Sequence, residues 1–185
     1  MLFPWRQQPG ELFIYDITKQ MKRYTISVFT ENFIGILSRI TLIFTRRGIN
    51  IDGFTASESR EEGIYRITIE VTTTEEQVIQ LARQIEKIID VIKAFYYLDD
   101  EVVFQELALY KIPVSNLDPG LEKVIRQYNA RIISAEREFV VIEMTGHKED
   151  TQELLEILKE FNILEFVRSG RVAVAKPMET LDKYL

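Results

Sequence analysis

The stretch Glu31-Asn32-Phe33-Ile34-Gly35-Ile36-Leu37-Ser38-Arg39 carries the chain's best prospect of binding a small molecule. It follows an apolar run at 24–29 and opens a helix that should end at Arg47-Gly48. Asn50-Ile51 then starts the next strand. A helix start offers backbone N–H groups with no acceptor inside the helix, and a partial positive charge. Both suit a carboxylate or a phosphate. Gly35 has no Cβ, so a ligand could approach its backbone closely. The plainer reading is a tight strand-to-helix turn with an Asn cap.

Catalytic chemistry finds no comparable support. The chain has no Cys, which excludes disulfides, thiolate metal sites and Cys nucleophiles. Its one histidine, His147, sits in a loop before a helix with no evident partner and reads as a surface or cap residue. There is no G-x-S-x-G, no Walker-type phosphate loop and no G-x-G-x-x-G. The pairs Glu61-Glu62, Glu75-Glu76 and Asp99-Asp100 read as loop or cap charges, because no hard-cation spacing surrounds them. Arg46-Arg47 fall at a helix C-terminus, where cations favour the dipole. We therefore expect no catalytic residue, no metal ligand and no cofactor in this chain.

The elements that would position the binding stretch follow from periodicity. Tyr24, Ile26 and Val28 alternate with Thr25 and Ser27, a half-buried strand. Ile36, Leu37, Ile40, Ile43 and Phe44 make one helical stripe, and Gly48 stands where a C-terminal cap belongs. Strands follow at 50–59 and 65–71, joined by a turn at Glu61-Glu62-Gly63. Thr74-Glu75-Glu76-Gln77 is a capping box for a helix whose stripe runs from Val78 to Ile88 and Ile89. A fourth strand spans 91–97. After the acidic break Asp99-Asp100-Glu101 the order repeats. It runs strand 107–112, helix from Asp118-Pro119-Gly120, strands 131–136 and 139–145, helix around Leu154 and Leu158, then strands 163–167 and 171–175 about a Ser169-Gly170 turn.

The expectation is an α+β protein: two ferredoxin-like βαββαβ sandwiches in tandem, each one antiparallel sheet with two helices on one face. The divisions are an N-terminal extension at 1–20, a first domain at 21–98, a linker at 99–104, a second domain at 105–176 and a tail at 177–185. At 185 residues the chain can bury two small cores. The net charge of -6 argues against nucleic acid. No apolar run reaches the roughly 18 residues of a membrane span. Residues 1–10 lack a signal peptide's apolar core, so the cytoplasm, or an organelle stroma, is the expected location. One face of each sheet should stay open, with Phe29, Phe54 and Phe95-Tyr96-Tyr97 offering apolar surface. Open edges and apolar patches favour pairing of first domains into a homodimer.

The block from Thr30 through Ile40, followed by Phe44-Thr45-Arg46-Arg47-Gly48-Ile49-Asn50-Ile51, closely resembles the first half of the small, regulatory subunit of acetohydroxyacid (acetolactate) synthase. That half is an ACT domain, an amino-acid sensor of βαββαβ order. Gln84-Ile85-Glu86-Lys87-Ile88-Ile89-Asp90-Val91-Ile92 also matches, as do 126–133 more loosely and Val167-Arg168-Ser169-Gly170. The similarity covers about residues 22–176.

The resemblance implies a non-catalytic subunit that binds and activates a large subunit carrying thiamine diphosphate, Mg²⁺ and FAD. It also implies feedback inhibition by valine or another branched-chain amino acid, held between two ACT domains of a dimer. Matching effector positions are Asn32, Gly35, Ile36, Asn50 and Ile51, with Ser57 near the pocket, where some members carry a small apolar residue. The N–H groups of Asn32, Phe33, Ile34 and Gly35 would hold the carboxylate. The Asn50 side chain, donor and acceptor at once, would bridge both charged groups. Ile36, Ile51 or Phe33 would wall the side chain. One methylene discriminates by only about 1–3 kcal/mol, so valine, leucine and isoleucine stay open. Two rival classes remain. A small lyase or mutase on this sandwich lacks the needed catalytic groups, and a ligand-responsive transcription factor lacks a helix-turn-helix.

Overall fold

In the computed structural model, residues 20–178 and 181–184 are described. The reading of 1–20 as an extension therefore falls almost wholly outside the described residues. The chain divides into two compact units that part between Glu101 and Val102, apart from a few residues of either that cluster with the other.

The first unit holds β1 (Lys22–Glu31), α1 (Ile36–Arg47), β2 (Gly53–Glu58), β3 (Ile64–Thr73), α2 (Glu75–Ile85) and β4 (Val91–Leu98). Its sheet runs β2-β3-β1-β4, with β1 antiparallel to both neighbours. The second unit holds β5 (Val102–Pro113), α3 (Pro119–Gln127), β6 (Arg131–Ala135), β7 (Phe139–Gly146), α4 (Lys148–Leu158), β8 (Glu165–Arg168) and β9 (Val172–Ala175). Its strands lie in the matching order β6-β7-β5-β8. The two units thus share the βαββαβ order and antiparallel sheets expected of tandem ferredoxin-like sandwiches, with β9 as an additional strand in the second.

Period-two alternation decides each sheet's helix-side face. In the first unit, Ile26, Val28, Ile67 and Ile69 of the sheet and Ile40, Phe44, Val78, Leu81 and Ile85 of the helices are all buried. Each full burial of such a side chain stabilises by roughly 1.5–3 kcal/mol. In the second, Ala108, Tyr110, Ile112, Val140 and Ile142 share a core cluster with Leu121, Leu154 and Leu158. Tyr110 donates its hydroxyl to the Thr151 carbonyl at 2.6 Å. Burial pushes the Tyr110 pKa up to about 12, so the phenol keeps that proton.

Four features depart from the sequence reading. The second helix ends at Ile85, and Ile89 is 95% exposed rather than part of its stripe. A strand already begins at Val102, inside the stretch read as linker, after a single 3₁₀ turn at Asp99–Glu101. Ser169-Gly170 is no hairpin turn. β8 and β9 pair in succession with the same strand, β5: Ala108 faces Arg168, and Gln105 faces Val172. The register gains one residue between these pairs, as in a β-bulge. Finally, the face of the first sheet away from its helices is not open. Thr25, Ser27, Thr68 and Glu70 are buried there, as are Phe95 and Tyr97. Phe95 stacks on Tyr97 with ring centres 6.2 Å apart and meets Phe29 edge-on at 6.1 Å and Tyr184 edge-on at 5.7 Å. Tyr96, on the alternate face, is half exposed.

The Thr74 cap of α2 forms as read: its side chain accepts the Gln77 N–H at 3.3 Å, and the Gln77 side chain accepts the Thr74 N–H at 3.4 Å. Thr74→Ala should lower the stability of the first unit by about 1 kcal/mol. Hydrogen exchange at the α2 amides checks this; unchanged protection would show that the cap contributes nothing.

Candidate functional site

The corner between β1 and α1 is built from a glycine. Gly35 has φ +84°, in the left-handed region that other residues avoid, and serves as the N-cap of α1. No side chain caps this helix, so Asn32 is not the cap that the sequence suggested. The Ile36 N–H donates to the Phe33 carbonyl at 3.2 Å, and the helix's own ladder begins with Arg39 N–H to Gly35 O at 3.1 Å. The Phe33 N–H, one of the four expected to hold a carboxylate, is already donated to the Glu31 carbonyl at 3.0 Å, whereas the N–H groups of Leu37 and Ser38 lie in the first turn with no helical carbonyl before them. They stand beside a groove of about 350 Å³ lined by residues 30–33, 35–38, 56, 65 and 67.

The corner is fastened to the start of β4. The Thr30 hydroxyl and the Glu31 N–H both donate to the Asp90 carbonyl, at 2.7 and 3.0 Å. The Arg39 guanidinium lies 2.7 Å from the Asp90 carboxylate. At the far end of α1, Gly48 takes φ +64°, and the Ile49 N–H caps Phe44 O at 3.1 Å. Arg47 donates to Gln84 and Gln80 on α2, at 2.9 and 2.7 Å, which ties the two helices together.

Of the eight effector positions, Asn32, Phe33, Gly35 and Ile36 line the groove. Ile36 is buried, forming part of the floor, while Phe33 is half exposed. Ile34 projects into solvent at 97% exposure. Asn50, Ile51 and Ser57 do not line the groove of a single chain. Asn50 and Ser57 are exposed, and Ile51 is half-buried. Sequence reasoning missed Ala56 and Tyr65, which close the strand side. Their only signal was alternation: Tyr65 shares the β3 face of Ile67 and Ile69, which points toward the helices.

The arrangement offers one polar end and apolar walls. Partial positive charge gathers at the Leu37 and Ser38 N–H groups. Glu31, exposed on the rim, brings negative charge. The Tyr65 hydroxyl donates to Glu58 at 3.2 Å, and the charge of Glu58 raises the Tyr65 pKa. Such a groove can hold a small zwitterion with an apolar side chain. His147 lies elsewhere, as the N-cap of α4, with its ring edge-on to Phe104 at 4.6 Å. Among the described residues no three His, Asp or Glu side chains gather as a metal site, and no helix is long and apolar enough to cross a membrane.

Comparison with known proteins places both halves. Residues 26–93 match the model described as AHAS small subunit-like ACT domain, and residues 105–177 match small subunit of acetolactate synthase. The acetolactate synthase small subunit of Bacillus subtilis is 34% identical over 158 residues, covering 84% of this chain and 91% of that one. The Aquifex aeolicus small subunit is 31% identical over 161 residues, covering 86% and 84%. The chain belongs to the acetolactate synthase small-subunit family. A crystal structure of the Thermotoga maritima small subunit superposes with a TM-score of 0.78 at 26% identity, covering 85% of this chain and 99% of that one. Family membership supports a regulatory rather than catalytic role for the chain.

The corner's dependence on glycine is testable. A Cβ at Gly35 would meet nothing within 4 Å, so any penalty there is conformational rather than steric crowding. Gly35→Ala should cost about 1–2 kcal/mol, and Gly35→Asn less, because Asn tolerates this region better. Urea unfolding of both variants checks the order; equal stability of Ala and Gly would mean that the positive φ is not required.

Proposed function

We propose that the chain is the regulatory subunit of acetolactate synthase in branched-chain amino acid biosynthesis. It binds the catalytic large subunit, raises its activity and confers feedback inhibition by valine, leucine or isoleucine. Thiamine diphosphate, Mg²⁺ and FAD belong to the large subunit; this chain contributes no catalytic group. It works in the cytoplasm. Residues 21–98 act as the sensing ACT domain and 105–176 as its companion. The observation that carries the reading is the side-chain-free start of α1 at Gly35, opening on a groove, in a chain of this family.

The effector carboxylate lies at the start of α1, with its apolar side chain toward Ile36 and Phe33. Asn50, Ile51 and Ser57, which stay off the groove of one chain, serve the site from the facing chain of a homodimer joined through first domains. Isolated chain should sediment as a dimer at micromolar concentration. A monomer, with or without amino acid, would rule out this arrangement.

Reconstitution tests the function directly. Adding the chain to purified large subunit should increase acetolactate formation from pyruvate and make it sensitive to a branched-chain amino acid. Gly35→Asp places a carboxylate against the anion position and should abolish that sensitivity. Asn50→Ala should weaken it more mildly, by removing hydrogen bonds to charged groups worth about 1–3 kcal/mol. If both variants remain as inhibitable as the parent chain, the site is misplaced. Acetolactate formation by the chain alone would defeat the regulatory reading altogether.

A further inference from the structure

The groove's strand-side wall carries information that its helix side does not. Ala56 lies on β2 and Tyr65 on β3, which are hydrogen-bonded neighbours in the sheet. Both line the groove, together with the buried Ile67. At about 350 Å³ the space lies at the small end of ligand pockets, which run from roughly 300 to 1,000 Å³. A methyl group at 56 leaves room that any longer side chain would fill. The Tyr65 hydroxyl donates to Glu58 at 3.2 Å, which favours the ring position seen here.

We infer that Ala56 and Tyr65 set the size of the amino-acid side chain that the groove admits. The inference rests on the reading of this groove as the effector site and adds the wall that measures the effector. The occupant is a free α-amino acid with a short, branched apolar side chain. Charge complementarity orients it: the first-turn N–H groups of α1 face the carboxylate, and Glu31 on the rim faces the ammonium group. That leaves the side chain to run toward Ile36, Ile67, Ala56 and Tyr65. Selection by such a wall works through fit, and a methylene gained or lost in an apolar pocket changes affinity roughly 10–200-fold. Ala56 is exposed, so its side-chain volume can change without disturbing the buried core.

The test is calorimetric titration of the full-length chain with alanine, 2-aminobutyrate, valine, leucine, isoleucine and phenylalanine. Ala56→Leu should lose leucine and isoleucine by at least about 10-fold while keeping the shorter side chains. Ala56→Gly should move the preference the other way, toward longer ones. Tyr65→Phe keeps the ring but releases it from Glu58, and should narrow the gap between valine and phenylalanine. Circular dichroism establishes that each variant folds; Ala56→Gly and Tyr65→Phe keep the test decisive if Ala56→Leu does not. Opposite shifts in rank order carry the inference, because a merely structural role would weaken every amino acid alike. If the parent binds amino acids and all three variants keep its rank order, the wall is not the gauge, and the effector site itself still stands. If the parent binds none of them at millimolar concentration, the reading of the site fails and this inference fails with it.

Discussion

Asp90 holds the corner beside the groove at the start of α1, and it does so with two different groups. Its carbonyl accepts from the Thr30 hydroxyl and the Glu31 N–H, and its carboxylate faces Arg39 on α1. One residue at the entry to β4 therefore fixes both the end of β1 and the first turn of α1. The β1–β4 register shifts between Phe29 and Thr30, beside this clamp. The Asp90 carboxylate is largely buried while Arg39 is nearly half exposed, so the pair is shielded from water on one side only. Without such a clamp, a helix start with no side-chain cap would be free to fray.

The same clamp explains where the sequence misleads. Residues 78–89 carry an unbroken apolar stripe with neither Gly nor Pro to end it. Local propensity thus extends α2 to Ile89. The helix stops at Ile85 and the chain winds on through Ile88, whose carbonyl accepts the Val91 N–H at 3.0 Å. Ile89 is left in solvent while Asp90 turns inward. Tertiary demand at the β1–α1 corner outweighs the stripe. The burial of Phe95 and Tyr97 was illegible for a related reason. Their alternation shows which face they share, but Tyr184, which meets Phe95, lies about 90 residues further on. By contrast, the βαββαβ order along the chain and the cap at Thr74 were legible, because alternation and capping are local signals.

Of the candidate site, the sequence revealed the loop and hid the wall. Gly35 stood out because glycine at a strand-to-helix junction suggests either a left-handed turn or a close approach, and its φ of +84° shows the first. Asn32 competed for the cap because Asn is a strong capping residue. It loses because the Phe33 carbonyl already takes the Ile36 N–H, which closes the turn one residue before the helix. Ala56 carries no chemistry of its own and becomes informative only once it is seen to line the same groove as Tyr65.

The two halves share an order of elements, yet the helix that follows the first strand starts differently in each. In the second unit, α3 follows β5 as α1 follows β1. There Asp118 is the N-cap, and its carboxylate accepts the Leu121 N–H at 2.7 Å. The protein's own anion occupies the place where a ligand carboxylate would sit. Pro119 at the first helical position removes a further N–H donor. In the first unit, Gly35 supplies the turn and no side-chain anion, so the corresponding donors remain available. The same topology thus yields one helix start with a side-chain cap and one without. A single residue choice at each N-cap, Asp118 against Gly35, separates the two.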